Sequence, residues 1–118
     1  FGHVLESLSG YTLPHGDAVG LGMLCALDVG VATGVTPLGV SEAVEVALPN
    51  RPRARAELAK LVSKTKLAKV VALLAADKKG SAKALRMVLL EDLGRWRVAN
   101  VDAGVWQRLW KGSWGGRA

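Results

Sequence analysis

The sequence predicts a mainly α-helical fold, a small helical bundle that carries one short β-hairpin. Three observations lead to this fold class: apolar residues recur at helical spacing over most of residues 1–76, a continuous apolar run begins at Ala84, and an alternating run begins at Arg95. Helical spacing buries one face of a helix, whereas continuous and alternating runs are typical of strands. The chain has 118 residues, half of them hydrophobic, so one domain over residues 1–118 is expected.

Caps and periodicity give the expected helices. The stretch that follows Asp17 is apolar on nearly every side, which is typical of a central buried helix. Ser41 and Asp102 are expected as N-caps, because their side-chain oxygens can accept hydrogen bonds from the first turn. Residues 1–9 are expected to be the end of a helix. The other helices are expected over residues 17–32, 41–48, 53–62, 66–76 and 102–110.

The hairpin is expected over residues 84–101. Residues 84–90 have the length of a buried strand, residues 91–94 form a turn that ends in glycine, and residues 95–101 alternate apolar and basic side chains. After the last helix, residues 112–118 are expected to be a frayed tail.

Composition restricts the functions that the chain can have. Cys25 is the single cysteine, so a reduced, buried thiol in a cytoplasmic protein is expected. The net charge is +6. The basic residues of 51–69 fall on several helix faces without interleaved aromatics, which favours a solvated surface over nucleic-acid binding. The apolar stretch 18–32 is too short for a membrane span, and no signal peptide is recognised at the start of the chain.

The histidines and one pair of lysines are candidates for chemistry. His3 and His15 are two potential metal ligands, but a catalytic zinc normally has three protein ligands, so satisfied or solvated histidines are the alternative. His15 lies at the entrance to the predicted central helix, where free backbone N–H groups favour an anion. Lys78 and Lys79 follow the fourth helix and either form a clamp for phosphate or carboxylate or are solvated cations at a helix C-terminus.

The glycines of the predicted central helix do not form a dinucleotide fingerprint. Gly20 and Gly22 lie within the helix and follow no strand, whereas the fingerprint needs a strand, a tight turn and a third glycine. Close helix packing is the expected role of these two residues.

Two ordered blocks of residues resemble the 3-dehydroquinate synthase family. Residues 1–6 read F-G-H-V-L-E and residues 13–23 read L-P-H-G-D-A-V-G-L-G-M, where the family has F-G-H-A-x-E and L-x-H-G-E-A-V-x-x-G-M. Downstream, residues 77–79 read D-K-K, residues 85–90 read L-R-M-V-L-L and residues 93–94 read L-G, similar to the family's D-K-K, L-R-x-V-L-L and I-G.

The resemblance implies the C-terminal helical metal and substrate domain of a carbon–oxygen lyase. Such an enzyme converts 3-deoxy-D-arabino-heptulosonate 7-phosphate to 3-dehydroquinate in the shikimate pathway, with loss of phosphate, and uses NAD and zinc. An N-terminal NAD-binding domain, absent from this sequence, would complete the site, and a homodimer is possible for the full-length enzyme. The chain by itself is expected to be inactive and to bind neither cofactor tightly.

Functional residues carry over position by position. The resemblance implies that His15 is a zinc ligand and that His3 is a catalytic residue that contacts the sugar-phosphate substrate near its leaving phosphate. Lys78 is the second implied catalytic residue, and Lys78 or the adjacent Lys79 binds substrate. Asp17 departs from the pattern, because the family has the longer glutamate there. No residue of this chain is expected to bind NAD.

Two other functions remain open at this stage. One is a related sugar-phosphate cyclase that makes 2-deoxy-scyllo-inosose or a valiolone, which substrate residues upstream of Phe1 would distinguish. The other is a non-catalytic basic helical module that binds an acidic partner. A steep salt dependence of nucleic-acid binding would indicate that module.

Overall fold

The computed structural model describes residues 5, 7, 15–48, 51–76 and 84–114, and these residues confirm the predicted fold class. The described part of the chain forms five helices and one two-stranded antiparallel sheet. The helices are α1 (His15–Ala32), α2 (Leu38–Ala47), α3 (Arg51–Lys64), α4 (Leu67–Ala76) and α5 (Ala103–Lys111), and the strands are β1 (Ala84–Asp92) and β2 (Arg95–Asp102).

Helix α1 is the centre of the fold, as its apolar sequence predicts. It packs against α2, α3, α5 and β1. Its buried side chains join a core that also contains Leu58 and Val62 of α3, Leu89 of β1 and Trp106 of α5. The buried members on α1 itself are Leu21, Leu24, Cys25 and Val29. One face of α1 is nevertheless open, which the sequence did not indicate: Val19 is 45% exposed and Met23 is 42% exposed.

The turn after α1 is held against the hairpin by one buried side chain. The Thr36 hydroxyl donates a hydrogen bond to the carbonyl oxygen of Leu90 at 2.6 Å, and Thr36 is only 3% exposed. Gly34 in the same turn has a φ of 77°, a conformation that glycine adopts without strain. The turn therefore fixes the distance between the end of α1 and β1.

Helix α2 begins three residues earlier than predicted, and Ser41 is not its N-cap. Pro37 occupies the cap position with φ −59° and ψ 141°, and its carbonyl oxygen accepts hydrogen bonds from the backbone N–H groups of Val40 and Ser41. Ser41 is instead buried within the helix. Proline is well suited to a helix start because its fixed φ is already helical. The same preference puts Pro52 in the first turn of α3, although the sequence had indicated a break there.

The hairpin lies where it was predicted, over residues 84–101, but its first strand is less buried than predicted. Leu85, Met87 and Leu89 face the core, but Val88 between them is 55% exposed, so β1 is half-buried and not fully buried. A strand in an isolated two-stranded sheet can bury one face only, because successive side chains point to opposite sides. Gly94 completes the tight turn with a φ of 74°.

The C-terminal part confirms the expected Asp102 cap and corrects the expected tail. The Asp102 carboxylate accepts a hydrogen bond from the Gly104 backbone N–H at 2.7 Å. Trp106 and Trp110 of α5 are buried, with ring centroids 6.5 Å apart in an edge-to-face arrangement. Trp114, which follows the helix, is only 2% exposed. Trp114 thus belongs to the core, whereas Gly112 and Ser113 are exposed and residues 115–118 lie outside the described residues.

None of the helices in the described ranges combines the length and apolarity needed to cross a bilayer.

Candidate functional site

The N-terminal end of α1 carries the part of the predicted site that the structure describes. His15 is the first residue of α1, at the end where backbone N–H groups are free, although its side chain is not among those described. Asp17 is exposed in the first turn, where a negative charge is stabilised by the helix dipole, as predicted. His3, Lys78 and Lys79 lie outside the described residues. Their roles, and that of His15, stay predictions.

No zinc site is complete within the described residues. No group of three His, Cys, Asp or Glu residues in residues 15–48, 51–76 and 84–114 could hold a metal ion. Zinc needs three or four such donors at about 2.0–2.3 Å. The His, Cys, Asp and Glu side chains that the structure describes therefore cannot hold a zinc ion without further ligands.

Cys25 can be removed from the set of metal ligands and nucleophiles. It is a free thiol, fully buried in α1. Burial, with a smaller contribution from the nearby Asp28 carboxylate, raises the pKa of the Cys25 thiol to about 12. Because the thiolate is the reactive and metal-binding form, the Cys25 thiol is inert at neutral pH.

A cluster of charged and polar side chains, the Asp28 cluster, ties the other end of α1 to three further segments. It consists of Asp28 of α1, Glu45 of α2, Arg55 of α3 and Trp114. Arg55 donates to both oxygens of Asp28 at 2.7 and 3.1 Å, and its Nε donates to Glu45 at 2.6 Å. The indole Nε1 of Trp114 donates to Asp28 Oδ2 at 2.7 Å. Two carboxylates thus bind one guanidinium, and the Trp114 indole binds one of these carboxylates.

The Asp28 cluster is structural, because it lies too far from the motif end of α1 to touch a ligand there. Asp28 lies thirteen positions after His15, which is about 20 Å along a helix that rises 1.5 Å per residue. Its hydrogen bonds with Asp28, and then those with Glu45, raise the pKa of Arg55, so the guanidinium keeps its charge at every accessible pH. The sequence contained one signal of this cluster, since an aspartate in an apolar helix needs a partner to be buried.

A groove between α1, α2 and β1 brings motif residues to the surface. It has a volume of about 470 Å³, and Val19, Gly22 and Met23 of α1 form one wall. Val88 and Leu90 of β1 are on the opposite side. The remaining lining residues are Ala26, Leu27, Val44, Arg86 and Met87. We call this feature the motif groove, because Val19, Gly22 and Met23 belong to the L-P-H-G-D-A-V-G-L-G-M segment.

Gly20, another glycine of this segment, does not pack closely against the rest of the chain. A Cβ added at Gly20 would meet no atom within 4 Å, so the expected close contact is wrong for this residue. The close contact on α1 is at Gly30, where an added Cβ would collide with the Thr36 side chain.

Comparison with known proteins gives the family. Residues 1–80 match the family described as 3-dehydroquinate synthase C-terminal. The chain belongs to this family. The match covers the N-terminal end of α1 and the positions of His3, Lys78 and Lys79, and it ends before β1.

Two curated 3-dehydroquinate synthases extend the family's likeness over most of the chain. The synthase of Aeropyrum pernix is 33% identical over 122 aligned residues, which cover 98% of this chain and 31% of the relative. The synthase of Rhodospirillum rubrum is 37% identical over 110 aligned residues, which cover 85% of this chain and 28% of the relative. The chain therefore spans less than a third of the length of these relatives.

Proposed function

We propose that this chain is the metal- and substrate-binding part of a 3-dehydroquinate synthase, which forms 3-dehydroquinate from 3-deoxy-D-arabino-heptulosonate 7-phosphate with loss of phosphate. The observation that carries the proposal is the match of residues 1–80 to the C-terminal family of this enzyme. The identities of 33% and 37% to two synthases support it over most of the chain. The activity, a carbon–oxygen lyase reaction in aromatic amino acid biosynthesis, belongs in this proposal to a full-length enzyme.

The N-terminal end of α1 is the proposed location of chemistry. His15 is the first residue of a helix that is buried on most sides, so its backbone position is fixed by the core. In the proposal, the His15 imidazole is one ligand of a zinc ion, which supplies Lewis-acid polarisation when bound. The described residues do not complete a zinc site, so in the proposal the other ligands come from elsewhere in a full-length enzyme.

We assign substrate binding to one imidazole and two cationic side chains, on the match of their positions to the family. We assign His3 to the region of the leaving phosphate and Lys78, with Lys79 beside it, to the substrate's anionic groups. A lysine ammonium binds phosphate as a compact point charge, and a neutral imidazole can hold or donate a proton near pH 7.

NAD binding in the proposal comes from a domain outside this chain. A dinucleotide's pyrophosphate is normally bound by a glycine-rich turn between a parallel strand and a helix. The described strands form an antiparallel hairpin, which lacks that unit. An N-terminal NAD-binding domain, in a cytoplasmic enzyme, is therefore the proposed partner.

The experiment fuses the part of the Rhodospirillum rubrum synthase that this chain does not match to the N-terminus of this chain. With NAD, zinc and 3-deoxy-D-arabino-heptulosonate 7-phosphate, the fusion should release phosphate and form 3-dehydroquinate. His15→Ala should remove bound zinc and lower turnover by at least about 100-fold, because a ligand contributes no less than the groups that support it. Lys111→Ala, at an exposed position in the last turn of α5, is the matched control and should change neither quantity.

Two results would contradict this proposal. Zinc retained at one ion per chain in the His15→Ala fusion would exclude His15 as a ligand. A folded, zinc-loaded fusion that binds NAD but releases no phosphate would exclude the synthase activity.

A further inference from the structure

The motif groove is an apolar surface that the chain leaves open. Val19 and Met23 on the α1 side and Val88 on the β1 side are 45%, 42% and 55% exposed. The outward face of the hairpin continues this surface, because Val88 pairs with Val98 and Leu90 pairs with Trp96 across the strands. Trp96 and Val98 are 62% and 45% exposed. Contiguous apolar surface of this kind on a small domain marks a place where another element packs.

The shape of the groove suits a helix. Its α1 wall is formed by residues at positions i, i+3, i+4 and i+7, namely Val19, Gly22, Met23 and Ala26. This spacing forms one continuous ridge along a helix, into which the ridges of a second helix can pack. Gly22 lines the groove and has no side chain, so a second backbone can approach α1 closely here.

Charge indicates what the incoming helix carries. Arg86 lines the groove, is exposed, and forms no ion pair within the residues that the structure describes. An acidic residue on the incoming helix would neutralise it. A second copy of this chain is a poor occupant, because each copy has a net charge of +6 and would bring a second Arg86 to the same surface.

The relatives have a long stretch of chain from which such a helix could come. About 70% of each curated synthase has no counterpart in this chain, since the alignments cover 31% and 28% of their lengths. We propose that the motif groove receives an amphipathic helix, with an acidic residue opposite Arg86, from the part of a full-length synthase that precedes this domain. The proposal rests on the proposed function only in taking its occupant from a 3-dehydroquinate synthase.

The two methionines of the chain provide the test. Met23 lines the groove and is 42% exposed, whereas Met87 is 8% exposed and serves as an internal control. In the chain alone, dilute hydrogen peroxide should oxidise Met23 about tenfold faster than Met87, measured by mass spectrometry of the two peptides. In the Rhodospirillum rubrum fusion, the oxidation rate of Met23 should fall by at least about fivefold.

A matched pair of variants tests whether binding at the motif groove protects Met23 from oxidation. Val19→Arg puts a charge into the groove and should restore rapid Met23 oxidation in the fusion. Val46→Arg changes a valine of α2 that is 69% exposed and outside the groove, and it should leave Met23 protected. In the chain alone, Val19→Arg should shift Tm by less than about 3 °C, because the side chain is already half-exposed.

Three results would overturn the docking proposal. The first is unchanged Met23 oxidation in the fusion; if phosphate release is then present, the proposed function stands without the docked helix. The second is Met23 protection in the chain alone that rises with concentration together with the sedimentation mass of a dimer, which would assign the groove to a second copy. The third is a large loss of Tm in the Val19→Arg chain. Protected Met23 without phosphate release would instead support the docked helix and reject the synthase activity.

Discussion

Gly30 of α1 has no room for a side chain, because the Thr36 side chain occupies that space. A Cβ at Gly30 would collide with the Thr36 hydroxyl and lie 2.8 Å from the Thr36 Cβ. Thr36 cannot move away at low cost, because it is buried and its hydroxyl donates to the Leu90 carbonyl oxygen. One missing methyl group therefore keeps the turn after α1 in contact with the hairpin.

Alanine at Gly30 should thus lower the free energy of unfolding, by about 1–3 kcal/mol for an overpacked site. The matched control is Gly20→Ala in the same helix, where an added Cβ meets nothing within 4 Å. That variant should raise the free energy of unfolding by about 0.5–1 kcal/mol, because alanine is the better helix former. Urea denaturation followed by circular dichroism measures both values. Equal effects at the two positions would mean that Thr36 can shift without cost.

At the scale of elements, periodicity and caps were enough to predict every helix and the hairpin of the described chain. The 3.6-residue pattern locates α4, and the change to an alternating pattern locates β2. The predicted start of α2 was wrong because both Pro37 and Ser41 are good residues for a helix start. The local sequence does not distinguish between them. Contacts decide it, since Ser41 is buried.

Long-range contacts could not be predicted from the sequence. Residues 112–118 have the glycine content of a loose tail, yet Trp114 is buried against Asp28, 86 positions earlier in the chain. For the site, the motif gave the position of His15 at the start of α1. The open groove lined by Val19 and Met23 depends on which elements pack together, which no local pattern encodes.

Replacement of Trp114 by phenylalanine tests the role of the segment after α5. The variant retains an aromatic ring but loses the hydrogen bond to the Asp28 carboxylate, so the free energy of unfolding should fall by about 1.5–3 kcal/mol. The control is Trp96→Phe, at a side chain that is 62% exposed, which should change stability by less than about 0.5 kcal/mol. Thermal denaturation of both variants gives the comparison. A neutral Trp114→Phe would show that Arg55 and Glu45 hold the cluster without the indole.

At the scale of the whole molecule, we expect strong ligand binding to require the partner domain of the proposed enzyme. An exposed ion pair contributes about 0–1 kcal/mol, whereas even a millimolar Kd requires about 4 kcal/mol. At such values, two or three cations and a histidine do not reach micromolar affinity by themselves. The closed site of the proposed enzyme needs both of its parts.

The isolated chain should therefore bind neither NAD nor the sugar phosphate with micromolar affinity, with or without zinc. Isothermal titration calorimetry measures this directly, and the Rhodospirillum rubrum fusion is the positive control, since it should bind NAD. Micromolar binding of NAD by the isolated chain would contradict the two-part site, because the described residues contain no dinucleotide-binding unit.

Because Cys25 is buried, the rate at which its thiol reacts can measure how often the core of this protein opens. Its thiol is fully buried on the central helix and is the single cysteine of the chain, so a thiol-specific reagent at neutral pH can modify it only when the core opens. The labelling rate then reports the population of molecules with an opened core, in the absence of denaturant. Each variant of the isolated chain described above can thus be ranked in stability from a single-site labelling curve.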